Sequence, residues 1–289
     1  MYYIYETDKP NKILKRLNII KLIENKIVLP INEENITQKQ AEKLAMKTNK
    51  ILQRTNSKTV LISKKIKKQE YYINYLNSYN IKIIDGKWLN EILSYDILEY
   101  ITKTKKIKKE ETQIAITINE ITENMLQNIR KIVKDYKRVN IITNHISNFK
   151  NIENQILEKD GIMITISNNK RKSLSKAKII LNIDFPTELI NKYNIYEEAI
   201  IINLKGNVKI NNKRFNGINI NDYEINYSKR DMYFEDYEIL EKFANKDIYE
   251  ALIYKRQPYQ DVIKRIKKDK VEILKLFANK TEIWKRIYK

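Results

Sequence analysis

Short apolar runs rich in β-branched residues recur along this chain and alternate with stretches whose apolar positions repeat every three to four residues. The runs are Ile27–Leu29, Thr59–Ser63, Ile81–Ile84, Ile114–Ile118, Val139–Thr143, Ile162–Ile166, Ile179–Ile183 and Ala199–Asn203. Helical spacing links Ala41, Leu44, Ala45, Ile51 and Leu52, then Trp88, Leu89, Ile92, Leu93 and Ile101, then Met125, Leu126, Ile129, Ile132 and Val133. Strands that are apolar throughout, rather than alternating, are those buried on both faces, and helices between them supply the cover. The pattern therefore predicts an α/β protein with mainly parallel sheets.

Boundary residues refine this. Thr37 with Gln40 forms a capping-box pattern that opens a helix running to about Arg54. Gly86 ends one strand ahead of a helix at Lys87–Ile101, and Pro186 suits the first turn of a short helix ending near Tyr193. The charged run Thr102–Glu111 interrupts the pattern and reads as a linker. Two Rossmann-like lobes follow, residues 1–103 and 112–230, with a helical C-terminal extension over 231–289. In that extension seven acids and two bases fall between Asp231 and Glu250, and twelve bases and four acids between Lys255 and Lys289. An acidic helix followed by basic segments either neutralises itself within the molecule or presents a basic tail to a partner.

Composition narrows the function. The chain has 289 residues, no cysteine and one histidine, which excludes a disulfide scaffold, a thiol nucleophile, cysteine zinc sites and any two-histidine metal site. The longest stretches without a charged side chain, Tyr71–Ile81 and Val139–Phe149, are 11 residues, short of the roughly 18–20 a membrane-spanning helix needs. The opening segment lacks a basic-then-apolar signal pattern, and a cytoplasmic location is the expectation. Lys and Arg number 56 against 36 Asp and Glu, a net charge of +20. Such a field attracts nucleic acid, anionic lipid or acidic proteins. Only ten of the cations are Arg, and lysine, a point charge, suits backbone phosphate better than bidentate base reading.

In open parallel sheets ligands bind beyond the carboxyl ends of the strands. Three such ends in the second lobe carry polar side chains: Asn144 and His145; Ser167, Asn169, Lys170, Arg171 and Lys172; Asn182 and Asp184. Each has a plain structural role open to it, His145 at a helix start, Asp184 in a turn, the lysine cluster as a solvated loop. A further stripe, Tyr71, Tyr75 and Tyr79, has i, i+4, i+8 spacing beside Lys64, Lys65, Lys67 and Lys68. Aromatic side chains flanked by lysines can stack single-stranded bases, and the same spacing serves core packing.

A strand ending in Asn-Asn-Lys-Arg-Lys-Ser, followed by Leu-Ser-Lys-Ala-Lys-Ile-Ile-Leu-Asn, resembles the cofactor domain of the shikimate dehydrogenase and glutamyl-tRNA reductase group over residues 138–203. The resemblance implies that Asn169, Lys170 and Arg171 meet an adenosine 2′-phosphate and that Ala177–Asn182 is the strand after it. The family's glycine-rich turn is replaced by Thr-Asn-His-Ile-Ser-Asn-Phe, where side chains fill the space a pyrophosphate needs. The chain as a whole also resembles conserved proteins of low-GC Gram-positive bacteria, a likeness that implies no activity. The leading expectation is a non-catalytic binding protein for a polyanion, nucleic acid or a nucleotide-bearing partner, with no cofactor. The alternatives are an atypical NADP-dependent oxidoreductase and a module that meets an acidic protein.

Overall fold

Apolar runs buried on both faces become the central strands of two sheets. A computed structural model describes residues 1–8, 12–31, 36–228, 237–254 and 258–284. In chain order the elements are β1 (Tyr2–Glu6), α1 (Lys12–Arg16), β2 (Lys21–Ile23), β3 (Lys26–Leu29), α2 (Gln38–Arg54), β4 (Thr59–Ile62), α3 (Glu70–Ser78) and β5 (Lys82–Ile84). There follow α4 (Lys87–Ile92), α5 (Ser94–Thr104), β6 (Gln113–Thr117), α6 (Glu123–Asp135), β7 (Arg138–Ile142), α7 (Ile146–Asp160), β8 (Thr165–Ser167) and β9 (Ile179–Asn182). The last are α8 (Thr187–Ile190), β10 (Ile200–Asn203), β11 (Ile218–Asn226), α9 (Tyr237–Leu240), α10 (Asn245–Ile253), α11 (Tyr259–Lys268), β12 (Glu272–Ala278) and β13 (Thr281–Ile283).

The chain divides into two units, Met1–Gly86 with Lys229–Gln257, and Lys87–Ser228 with Pro258–Lys289. This differs from the three-part division read from the sequence. The first break falls at Gly86, not near residue 103, because the run Thr102–Glu111 is no linker. Helix α5 continues to Thr104, Thr102 is buried, and Lys109 is tied to Glu99 at 2.5 Å and Asp135 at 2.7 Å within the second unit.

In the first unit the order is β2-β3-β1-β4-β5, parallel except for the edge strand β2. Alternate residues of the strands face two different cores. Ile4, Ile27, Leu29, Val60 and Ile62 pack with Ala41, Leu44 and Leu52 of α2 and Tyr72 and Leu76 of α3. Tyr5, Val28, Leu61 and Ile84 pack with Leu240, Phe243 and Ile248 from the returning segment. Tyr72, fully buried, shares a 2.8 Å hydrogen bond with Thr48 across α2 and α3. That contact sets the rotation of α3, so Tyr71 of the predicted stripe is 51% exposed and Tyr75 and Tyr79 are only half-buried. The core face of α3 is Tyr72 and Leu76.

The second sheet has the order β13-β12-β11-β10-β9-β6-β7-β8, with β8 through β11 parallel. Read from β8, its six parallel strands give 3-2-1-4-5-6 in sequence order, the doubly wound Rossmann arrangement, with the order reversing between β6 and β9. The C-terminal extension is not all helix. The acidic segment expected to be helical starts outside the described residues and then supplies α9 and α10, while β12 and β13 add an antiparallel hairpin to the second sheet. Its turn, Asn279-Lys280, has positive φ at both residues (50° and 66°), the backbone of a two-residue hairpin turn.

The ion-pair cluster at Lys109 makes a pH prediction. Asp135 accepts from Lys109 Nζ and, at 2.5 Å, from the Tyr95 hydroxyl, and those donors hold its carboxyl below the usual value of 3.8. A carboxyl whose folded pKa lies below its unfolded one stabilises the fold above the unfolded value and loses that contribution as pH falls toward the folded one. Urea unfolding midpoints of wild type should therefore drop more steeply below about pH 4 than those of Asp135→Asn. Parallel curves would refute the assignment.

Candidate functional site

The sites read from the sequence all lie at the carboxyl end of the second sheet, on three loops. Asn144 and His145 follow β7, Ser167 ends β8 with Asn169–Lys172 in the loop after it, and Asn182 ends β9 with Asp184 two residues on. Asp184 does the most there. Its carboxylate accepts from the Asn119 amide at 2.8 and 3.0 Å and from the Glu120 amide at 2.8 Å. Asn119 Oδ1 in turn accepts from the Asn144 amide at 3.0 Å. Asn119, which the sequence reading passed over, thus joins the loops after β6, β7 and β9. A polar residue directly after a predicted strand end was the available signal.

Asn182 belongs to a buried ladder of amides that crosses the sheet. Its Oδ1 accepts from Thr117 Oγ1 at 2.6 Å, and its Nδ2 donates to Asn203 Oδ1 at 2.8 Å. Asn203 Nδ2 then donates to Asn219 Oδ1, Asn221 Oδ1 and the Ile220 carbonyl. The strand register places Thr117, Asn182 and Asn203 side by side, so one polar position per strand is repeated across three neighbours. Both ends of the Asn182 amide are engaged inside the protein.

The lysine loop is organised by its own side chains. Asn169 Oδ1 accepts from the amides of Arg171 and Lys172, Ser167 Oγ accepts from the Asn169 amide, and Ser167 and Ser173 share a 2.9 Å hydrogen bond. Lys170, Arg171 and Lys172 are exposed. His145 stands at the N-cap of α7 without a side-chain capping bond, its own amide donating to Thr143 Oγ1. No hydrogen bond among the described residues joins the Ser167–Lys172 loop to Asp184 or Asn144.

The topology shifts the expected cofactor layout by one strand. The likeness to a dinucleotide-binding domain counted Val139–Thr143 as the first strand. The strand order makes β6 the first, because the sheet reverses between β6 and β9. The turn that would carry a pyrophosphate is then Ile118–Thr122, and the second strand, β7, ends at Ile142 just before Asn144, leaving Asn169–Arg171 in the loop after the edge strand β8. At the β6 turn two backbone amides already face a negative group, the Asp184 carboxylate of the same chain. An anion occupies the place where a dinucleotide phosphate sits in such turns.

A different site lies in the first unit. A cleft of about 520 Å³ is lined by Lys12, Lys15 and Arg16 from α1 and by Lys39 and Lys43 from α2, with Asn18, Thr37 and Gln40 adding neutral polar groups. No carboxylate is among its described lining residues. Thr37 caps α2 by accepting from the Gln40 amide at 3.3 Å, as the capping-box pattern predicts, and so turns the positive end of a 17-residue helix toward the cleft. Lys47 Nζ donates to the Leu17 and Asn18 carbonyls at 3.0 and 2.7 Å and fastens the loop after α1 to α2. Sequence reading missed this cleft because its cations come from two segments more than twenty residues apart. The i, i+4 pair Lys39 and Lys43 at a capped helix start was the only local hint.

No protein-family model matches the chain, and no curated protein does. Among solved structures it is similar to the L-tryptophan dehydrogenase of Nostoc punctiforme, at 10% identity and TM-score 0.33, over 74% of this chain and 65% of that one. It is also similar to the ornithine carbamoyltransferase of Pyrococcus furiosus, at 12% identity and TM-score 0.29, covering 70% and 71%. A third is a shikimate 5-dehydrogenase-like protein, at 10% identity and TM-score 0.25, covering 69% and 76%. The fold class stands on the strand order itself, a mixed α/β chain with two mainly parallel sheets. Among the described residues no helix is long and apolar enough to cross a membrane.

Proposed function

We propose that this chain is a non-catalytic nucleic-acid-binding protein that holds backbone phosphates in the basic cleft of its first unit. One observation carries the reading. Five cations line a single concavity with neutral donors among them, in a protein of net charge +20. Lysines dominate the lining, which favours sequence-independent phosphate contact over base reading. The Rossmann mouth of the second unit is a weaker candidate, since Asp184 and Asn182 direct their hydrogen bonds inward.

Binding of mixed-sequence oligonucleotides across a salt series tests this. If five phosphates are neutralised, slopes of about −0.7 per phosphate on single strands and −0.9 on duplex give an affinity loss of roughly 100–500-fold between about 50 and 200 mM salt. Replacing Lys39 and Lys43 together with Ala should make the slope shallower by about 1.4–1.8. Absence of binding near 50 mM salt would retire the proposal. An unchanged slope in the double variant would move the contact away from the cleft.

A further inference from the structure

We infer that the basic cleft takes the phosphorylated end of a nucleic-acid strand, a phosphate monoester, in preference to the phosphodiesters within the strand. The inference rests on the function proposed above. All the lining residues are polar or charged, and neither an aromatic nor an aliphatic side chain is among them. Pockets that hold a whole nucleotide or another small ligand are walled mainly by apolar groups, which grip rings and sugars. This hollow offers a base or a sugar nothing to pack on. It is fitted for phosphate alone.

Its donors outnumber what one diester can use. Besides the cations Lys12, Lys15, Arg16, Lys39 and Lys43, the lining includes Thr37 and Gln40, so the N-cap and first turn of α2 belong to the cleft. There the Thr37 side chain accepts from the Gln40 amide, while the amides of Gln38 and Lys39 have no acceptor among the described residues. Such N–H groups at a helix start stay orphaned unless a cap, water or a ligand meets them. A diester brings one negative charge and two unshared oxygens. A terminal monoester brings about 1.5–2 charges at pH 7 and three strong acceptor oxygens. No carboxylate is among the described lining residues to repel the extra charge. The cations, the positive helix end and the unfilled amides all favour the more highly charged group.

The experiment measures affinity at low salt for one oligonucleotide prepared with hydroxyls at both ends and with phosphates at both ends, and for inorganic phosphate. Wild type is compared with the Lys39→Ala, Lys43→Ala double variant; both lysines are exposed, and thermal melts verify that the variant folds. Wild type should bind the phosphorylated strand roughly tenfold or more tightly near neutral pH, the low end for one hydrogen bond to a charged group. The advantage should shrink at about pH 5, because the monoester's second ionisation lies near 6 while the lysines and arginine of the cleft stay charged. The double variant should lose most of that advantage, together with part of its affinity for either strand. Equal affinity for the two strands, an advantage indifferent to pH, or one that survives intact in the double variant overturns end recognition and leaves backbone binding standing. Inorganic phosphate bound as tightly as the phosphorylated strand also overturns it, since free phosphate would then be the ligand. No binding to either strand removes the underlying function itself.

Discussion

Phe243→Ala is expected to lower the unfolding free energy of the first unit by about 3–5 kcal/mol, the range for emptying a buried phenylalanine site. Phe243 is 1% exposed and packs edge-on against Tyr3 and Tyr5 of β1, with ring centroids 6.1 and 6.4 Å away. It belongs to the cluster by which the segment after residue 236 covers one face of the first sheet. The cavity cannot collapse easily, because Leu240 and Ile248 are held by their own helices on either side. Hydrogen exchange localises the effect. Amides of β1 and β4 should lose protection while those of β6 and β9 keep theirs. Loss shared equally by both units, or below about 1 kcal/mol, would show that the returning segment is not integral to the first core.

Asn203→Ala should destabilise the second unit by about 2–6 kcal/mol. The substitution takes the Asn203 partner from two buried groups, the Ile220 carbonyl and one N–H of Asn182 Nδ2, which keeps only its bond to the Phe185 carbonyl, and each such loss costs about 1–3 kcal/mol. Asn203→Asp is the sharper comparison because it keeps the shape. It can still accept from Asn182, but it turns a second oxygen toward three oxygens that now receive a hydrogen bond from Nδ2. We expect the Asp variant to be at least as destabilised as the Ala variant, read from exchange protection of β9, β10 and β11. Near-wild-type protection in Asn203→Asp would mean that the ladder is not what holds these strand ends in register.

Much of the architecture is legible in the sequence. Strands such as Val60–Ile62 and Ile179–Leu181 are buried on both faces, and that condition writes itself into sequence as an unbroken apolar run. Helix α2 is equally plain, since Ala41, Leu44, Ala45, Ile51 and Leu52 repeat at helical spacing between a capping threonine and Arg54, and all but the half-buried Ile51 are fully buried. What could not be read depends on contacts between distant segments. The return of residues 237–254 to the first sheet leaves no local trace. The hairpin β12–β13 reads as helix in the sequence because Leu274, Leu276 and Phe277 fit either period, and its turn is made by Asn279-Lys280 where a glycine would announce it. With four glycines in the chain, asparagine fills that role repeatedly, with positive φ at Asn18, Asn56, Asn80 and Asn279. The candidate site was the least legible part. All nine candidate residues lie at the carboxyl end of the second sheet, where Asp184 takes the turn role open to it in the sequence and Asn182 bonds to its neighbours along the strand ends.

The split of the first unit around residues 87–228 has a consequence during synthesis. Tyr5, Val28, Leu61 and Ile84 emerge from the ribosome early, but Leu240, Phe243 and Ile248, which cover them, are translated only after the whole intervening segment. At about 5–20 residues per second the nascent chain carries that uncovered apolar sheet face for roughly 8–30 s. Helices α2 and α3 shield the opposite face from the start, so the growing polypeptide is half-clad, a form that holdase chaperones bind and that slow codons downstream of residue 86 would prolong. Completion of the N-terminal core thus waits on some of the last residues to be made.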